Sequence, residues 1–516
     1  MLHPIPEKGK PGRLRFALAG AFALALAQAA PADVVEQGVK DAKPSGLLAG
    51  VAKVNIEPAI GIPHQNWGSA THIVANAIDP AGMFIRALVL SDGKQKFALV
   101  DVDAVGVNGM DDAVKRASAA TGIPPEHIRL GASHTHAGPS LSRGKGPVGA
   151  DLSQYEQMMN SHRAVVADKL VGVMVEANSR LRPAHAYGMV GTGSININRR
   201  FRGSGNDDGP PAVGLNFEAF VDRELPVIRI DDAQGNPYAV LVNFQAHGTV
   251  LAYENQVVSP DWIGSMRNTV EAGLPGATCL YFQGAAGNQG PIEGYSGDLE
   301  LAHRLGAILG HEAAAVALRI ATVRREPRFE GYVESTALQA KQPYRVAGPH
   351  DATLKYASKM LTLPRRTYTQ ADIDRMTRLT ADADKKIAAV KQAGGSEWEQ
   401  SQAAARQRRW ANLLERYKQP ANPEPVRLEV AILRIGDMAL VLTNGELFSE
   451  IGAAVKKASP FKVTLFCGYG SHPGGGYMPT RAEYAYGSYE VDGTSYGPGA
   501  AETVVDEAIA LLKSVR

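Results

Sequence analysis

The chain has 516 residues, 45% of them hydrophobic and 21% charged, with a formal net charge of +2 at pH 7. This balance fits an ordinary folded globular protein and excludes a strongly basic nucleic-acid groove or a polybasic membrane face. The length suits one large α/β unit carrying insertions.

The N-terminus has Lys8, Lys10, Arg13 and Arg15, then an apolar run from Phe16 to about Ala27, then the small residues of AQAAPA. That order predicts a secretory signal peptide over residues 1–32, cleaved between Ala29 and Ala32, and export to a bacterial periplasm or medium. The apolar run is short for a bilayer span, and no later segment reads as long and apolar enough for one. Further along, KFALVDVDAV (96–105) reads as a buried strand and GMDDAVKRASAATG as a helix ended by Gly122. HIRLGAS is the next strand. It runs into His134 and His136, spaced by one threonine. In a strand, residues two apart share a face, so both imidazoles would look into one cavity, as metal ligands or as buried hydrogen-bonded histidines.

A helix is expected over 151–181. LPVIRIDDAQGNPYAVLVNFQAHG predicts a hairpin turning at Gly235-Asn236, with His247 beyond its second strand. ATCLYFQGAAGNQGP reads as a strand opening into a glycine-rich loop, and LELAHRLGAILGHEAAAVALRIA as an amphipathic helix. Residues 345–422 are highly charged and read as a helical insertion: a lid, an assembly arm or a plain solvated hairpin. VRLEVAILRIGDMALVLTNGELFSE predicts a second hairpin, turning at Gly436-Asp437, with Glu446 after it. A strand through Cys467, a glycine- and tyrosine-rich loop and a last helix over about 499–514 complete the domain, residues 48–515. Cys279 and Cys467 are the only cysteines, and the spacing leaves their pairing open.

His134, His247, Glu446 and the loop after Cys467 all follow the carboxyl ends of strands, where α/β folds gather ligands. Two imidazoles and a carboxylate suit Zn²⁺, which lowers the pKa of a bound water and polarises a carbonyl. His472 is a rival ligand in the last loop, and the alternative for Glu446 is to cap a helix beginning near Leu447.

The segment LGASHTHAGPS resembles the paired-histidine segment of the neutral, non-lysosomal ceramidase family. The resemblance continues in VAKVNIEP, NINRR, FQAHGT, VSPDWIG and GYMPTRAEYAYGSYEVDGTSYGPGA, in the family's order. It implies an α/β catalytic domain of mixed sheets flanked by helices, and a zinc ion held by His134, His247, Glu446 and Tyr477. It also implies that His136 handles protons or substrate, that Arg199 holds a carbonyl or carboxylate oxygen, and that Tyr489 donates to a developing oxyanion. Asn288, Gly290 and Asp261 fall on the substrate side, Asn288 and Asp261 doubling as loop-shaping groups. One departure matters: where the family's ceramidases carry a serine, GNQGPI has Gly290. The family's C-terminal β-sandwich is also expected to be missing. The expectation is therefore an exported zinc hydrolase of an amide bond in an N-acyl or lipid-like substrate. An ester, lactone or glycosidic hydrolase of the same fold, and a non-catalytic binding protein, are the alternatives.

Overall fold

Runs such as Phe84–Ser91 and Pro237–Phe244 are apolar at nearly every position, and both are buried on both faces. A strand can satisfy that pattern only between two packed layers. The computed structural model describes residues 39–40, 42–64, 72–142, 152–202, 211–420, 422 and 424–516. The expected signal peptide, residues 1–32, lies outside the described residues.

The first sheet has eight strands: β1 (Leu48–Asn55), β2 (Phe84–Ser91), β3 (Lys96–Val102), β4 (Ile128–Ala132), β5 (Arg182–Thr192), β6 (Glu224–Asp232), β7 (Pro237–Phe244) and β8 (Thr278–Gln283). Their order is β8-β7-β6-β5-β1-β2-β3-β4. A second sheet is made of β9 (Leu354–Leu363), β10 (Val426–Ile435), β11 (Met438–Thr443) and β12 (Val463–Cys467), in that order. Side chains alternate between faces with period two. On β2, Leu88 and Leu90 point into the space between the sheets, while Ile85, Ala87 and Val89 point outward to helices. On β10, Leu433 and Ile435 enter the same inter-sheet core and Val430 and Ile432 face away from it. Each such leucine or isoleucine contributes roughly 1.5–3 kcal/mol by leaving water.

Helices α1 (Asp111–Thr121), α2 (Glu156–Ser179), α3 (Trp262–Gly273) and α4 (Leu299–Arg319) cover the outer face of the first sheet. Helices α7 (Ser449–Ala458) and α9 (Ala500–Ser514) cover that of the second. The result is a four-layer αββα sandwich, which is the mixed-sheet, helix-flanked α/β architecture expected from the sequence. Between them in the chain lie α5 (Gln370–Gln392) and α6 (Glu397–Lys418), both opened by capping boxes at Thr369/Asp372 and Ser396/Glu399. They are the helical part of the charged segment. Its beginning is strand: Tyr344–Pro349 pairs with Val323–Pro327, and β9 pairs with β10.

Within the two large sheets most strand pairs are antiparallel, but three are parallel: β3–β4, β7–β8 and β11–β12. Each parallel pair requires a crossover, supplied by α1, α3 and α7 respectively. The loops that leave the carboxyl ends of β4, β7, β8, β11 and β12 carry the expected site residues other than Arg199. They are knitted by backbone hydrogen bonds. The Ala132 N–H donates to the Tyr469 carbonyl (3.1 Å), Gly468 to Gln283 (3.0 Å), Gly287 to Leu447 (2.8 Å) and Glu446 to Gly476 (2.9 Å). Loops from the two sheets therefore meet as one surface.

Candidate metal centre

Two close backbone approaches bring the ligand loops together. A Cβ built at Gly248 would lie 2.8 Å from the His134 carbonyl oxygen and 3.0 Å from Thr135 Cα. One built at Gly287 would strike the Glu446 carbonyl. Only glycine allows the His247 and Glu446 loops to sit this close to their neighbours.

His134 does not lie in a pleated strand, as the i, i+2 spacing suggested. Strand β4 ends at Ala132, and His134 has a left-handed φ of 64°. The shared orientation of His134 and His136 comes from that turn and from the His136 N–H donating to the Gly248 carbonyl (3.1 Å). The outcome is still one cavity, with the two Nε2 atoms 3.2 Å apart. Among the described residues, the non-glycine positions with positive φ are His134, Asp261, Tyr295, Tyr469 and Ser488. Each lies in a loop around this centre, the placement expected when a scaffold holds a strained backbone for function.

His134 Nδ1 faces the Val105 carbonyl at 2.6 Å, and His247 Nδ1 faces those of Ala286 (2.8 Å) and Gln289 (3.1 Å). Those carbonyls can only accept, so the network assigns the ring proton to Nδ1 in both rings. Both Nε2 lone pairs then turn inward. Glu446 Oε2 stands 3.2 Å from His247 Nε2 and 3.5 Å from His134 Nε2. Glu446 is not a helix cap: α7 begins at Ser449, and Glu446 lies in a two-residue strand paired in parallel with Tyr477. That pairing places the carboxylate and phenol side by side. Burial works against the Glu446 charge, but the two imidazoles beside it, His134 and His247, hold its pKa well below the carboxylate range. Burial, with Arg199 close by, pushes His247 down to about 3. His136 is likewise driven well below the ordinary histidine value by burial and by His134 and His247.

The arrangement suits a cation. Ligand atoms of His134, His136 and His247 all lie within 4.8 Å of one another, a group able to hold a metal ion. Two inward lone pairs and an ionised carboxylate form a borderline N/N/O donor set of the kind that suits zinc. His136, read from the sequence as a proton or substrate group, sits within this cluster.

Arg199, from the short strand Asn196–Phe201, is fully buried beside it. Its Nη2 donates to the Tyr477 hydroxyl (3.0 Å) and its Nε to Glu490 Oε1 (3.0 Å). Arg200 holds the other oxygen, Oε2, at 2.7 Å. Burial opposes the Arg199 charge, but Tyr477, Glu490, Tyr295 and Glu446 together raise its pKa well above the ordinary arginine value. Burial also raises the Tyr477 pKa well above that of an ordinary phenol. The Tyr489 ring stands 5.6 Å from that of Tyr477, with the Arg409 guanidinium of α6 4.4 Å from its centroid.

Two of the expected residues make hydrogen bonds within the scaffold. Asn288 accepts from the Ser449 N–H (2.8 Å) at the start of α7 and donates to Glu450 (2.8 Å). Asp261 is fully buried and accepts from the backbone N–H groups of Leu251 (2.9 Å) and Trp262 (2.8 Å). His472 is drawn away from the cluster, its Nε2 3.8 Å from Glu429. Sequence reasoning missed Glu490, which binds both arginines, and Tyr469, whose ring lies 4.3 Å from that of His134. The adjacent arginines of NINRR were the one available signal for a buried carboxylate partner.

The class defined by fold and site is an αββα protein with a buried His/His/Glu centre flanked by an arginine and two tyrosines. No family model matches the chain. It is 29% identical over 138 residues to neutral ceramidase A of Dictyostelium discoideum, which is 26% of this chain and 18% of that protein. It is 24% identical over 412 residues to the neutral ceramidase of Pseudomonas aeruginosa, covering 75% of this chain and 59% of that protein. The chain thus spans less than two thirds of the length of these relatives. In structure it matches the crystal structure of the Pseudomonas aeruginosa neutral ceramidase with a TM-score of 0.58 at 20% identity, over 92% of this chain and 75% of that one. A structure of a ceramidase complexed with C2 matches equally, with a TM-score of 0.58 at 19% identity. The motif resemblance is borne out as a similarity to neutral ceramidases, and the partial coverage fits likeness to a catalytic domain.

Proposed function

We propose that this chain is a zinc-dependent hydrolase that cleaves the amide bond of an N-acyl or lipid-like substrate, and that it is exported by its N-terminal segment. The reading is supported above all by the inward-turned Nε2 atoms of His134 and His247 converging on Glu446 Oε2. His134, His247, Glu446 and Tyr477 would hold the metal. Zinc bound there would supply Lewis acidity, which makes a water nucleophilic near neutral pH and polarises a carbonyl. Arg199 orients the carbonyl oxygen, with Glu490 and Tyr477 fixing the guanidinium. His136, with a depressed pKa, is neutral at pH 7 and can take a proton at Nε2. The Tyr489 hydroxyl donates to negative charge as it develops on oxygen. Similarity to neutral ceramidases favours a lipid amide, whereas Gly290 removes the serine that those enzymes carry and favours a substrate other than ceramide.

The test is metal analysis of the purified chain together with turnover of a panel of N-acyl amides, esters and sugars. The expected result is one stoichiometric zinc and amide cleavage. His134→Ala and His247→Ala should each lose the metal and at least about 10³-fold in kcat/KM. Full activity in His134→Ala, or protein free of metal yet active, would overturn the proposal. Cleavage confined to esters or sugars would move it to another bond of the same mechanism. Tight metal binding without any turnover would favour a binding protein.

A further inference from the structure

The missing side chain at Gly290 has not left empty space. Gly290 is buried in the short strand Gln289–Pro291, paired with Ile197 two residues before Arg199. The atom that a Cβ there would strike first is the Tyr295 hydroxyl; Arg199 Cβ follows at 3.3 Å and Tyr295 Cζ at 3.5 Å. Tyr295 therefore extends its phenol from five residues downstream into the volume that a side chain at 290 would fill.

The placement is built, not incidental. Tyr295 takes a left-handed φ of 61°. Its N–H donates to the Thr249 carbonyl (3.2 Å), and the next residue, Ser296, donates to Val250 (3.0 Å). These bonds tie the tyrosine loop to the segment that carries His247. Beside the hydroxyl lies Arg199. Two edges of its guanidinium are occupied by Glu490 and Tyr477, while Nη1 is buried with no hydrogen-bond partner among the described residues. A buried N–H donor of this kind calls for an acceptor.

We propose that Tyr295 and Arg199 form the acyl-oxygen corner of the site, with the phenol supplying from position 295 the hydroxyl that position 290 lacks. This deepens the hydrolase reading and rests on it. Burial keeps the phenol protonated, its pKa pushed up to about 12. It acts as a hydrogen-bond donor and not as a nucleophile: no covalent bond to Tyr295 forms, and its proton stays on oxygen. The ligand chemistry is a carbonyl or carboxylate oxygen at the end of an acyl chain. The aromatic donor also fills space that a serine would leave to substrate, so the corner favours an unbranched acyl group close to the carbonyl.

The test uses octanoate as the probe, titrated calorimetrically into the metal-loaded full chain, alongside kcat and KM on the best substrate of the panel. Tyr295→Phe should weaken octanoate binding about tenfold, the loss of one hydrogen bond to a charged group, and lower kcat by a similar factor. Gly290→Ser alone should be worse than the double variant Gly290→Ser/Tyr295→Phe, because the serine collides with the phenol in the first and replaces its hydroxyl in the second. Melting temperatures report on the fold. Should Tyr295→Phe not fold, Gly290→Ala, which keeps the phenol but pushes it aside, reads the same displacement and should weaken octanoate binding about tenfold. Unchanged octanoate affinity in Tyr295→Phe (or in Gly290→Ala, where that variant takes its place), no octanoate binding by the parent chain, or a harmless Gly290→Ser would each overturn the inference. Cleavage of esters and not amides would sink the amide reading alone, since both bonds present the same carbonyl oxygen to this corner.

Discussion

Asp261 shows what a single residue can report. It is fully buried, and burial, opposed by the backbone N–H groups of Leu251, Trp262 and Val250 and helped by nearby Asp79, pushes its pKa up to about 7. Between about pH 4 and 7 the native state therefore holds a proton that the unfolded chain releases, so this residue's contribution to stability falls as pH rises. Asp261→Asn does not titrate. It should be destabilised at pH 5 by losing acceptors, and the deficit relative to the parent should shrink by about 2–4 kcal/mol by pH 8. Urea melts across that range check the slope; a constant deficit would contradict it. At this scale the sequence was informative about residue types and less so about their directions. His134, His247 and Glu446 could be chosen because each follows a strand end. Asn288 and Asp261 stay ambiguous, because in sequence a polar loop residue looks the same whether it faces a ligand or shapes the loop. Glu490 was invisible because its partners, Arg199 and Arg200, are some 290 positions away.

Among elements, the decisive ones are the loops after β4, β7, β8, β11 and β12, held together by close backbone contacts. Gly248→Ala should drive a methyl into the His134 carbonyl and Thr135. Overpacking of this kind costs about 1–3 kcal/mol, and it should also loosen the zinc proposed for this centre by moving one imidazole relative to the other. Equilibrium dialysis with zinc and a thermal melt on the same sample check both; a variant with parent-like zinc affinity would show that the loops can part without harm. Strands and helices were legible because each carries its own periodicity and turn chemistry, as at the hairpins around Gly235 and Gly436. The beginning of the charged segment was not, because β9 has only scattered buried positions and reads as solvated sequence. The hairpin of α5 and α6 is no free arm. Arg409 donates to the Tyr489 carbonyl (3.0 Å), Tyr417 to that of Asp492 (3.0 Å), and Trp398 stacks on Tyr253 at 5.5 Å. It grips the short helix α8 (Tyr489–Gly493), which carries Tyr489 and Glu490.

For the whole molecule, the two sheets and four layers explain why so many apolar runs lack a polar face, a pattern visible in the sequence without showing that two sheets would stack. Cys279 lies on β8 and Cys467 on β12, both buried and both free thiols. Burial raises each thiol well above its ordinary pKa. Neither should react with a thiol reagent in the native protein at pH 8, and both should react once the chain is unfolded in denaturant without reductant. A native chain that labels quickly, or an unfolded one that labels only after reduction, would show a different cysteine chemistry.

The seam between the sheets has a consequence for biosynthesis. The eight-stranded layer is complete by residue 283 and brings both imidazoles with it, whereas the carboxylate and the phenol arrive only after residue 445. A polypeptide still emerging from the ribosome thus owns half of the proposed ligand set and no means of closing it. The proposed hydrolase would thus become competent only once both halves of the chain have folded against each other.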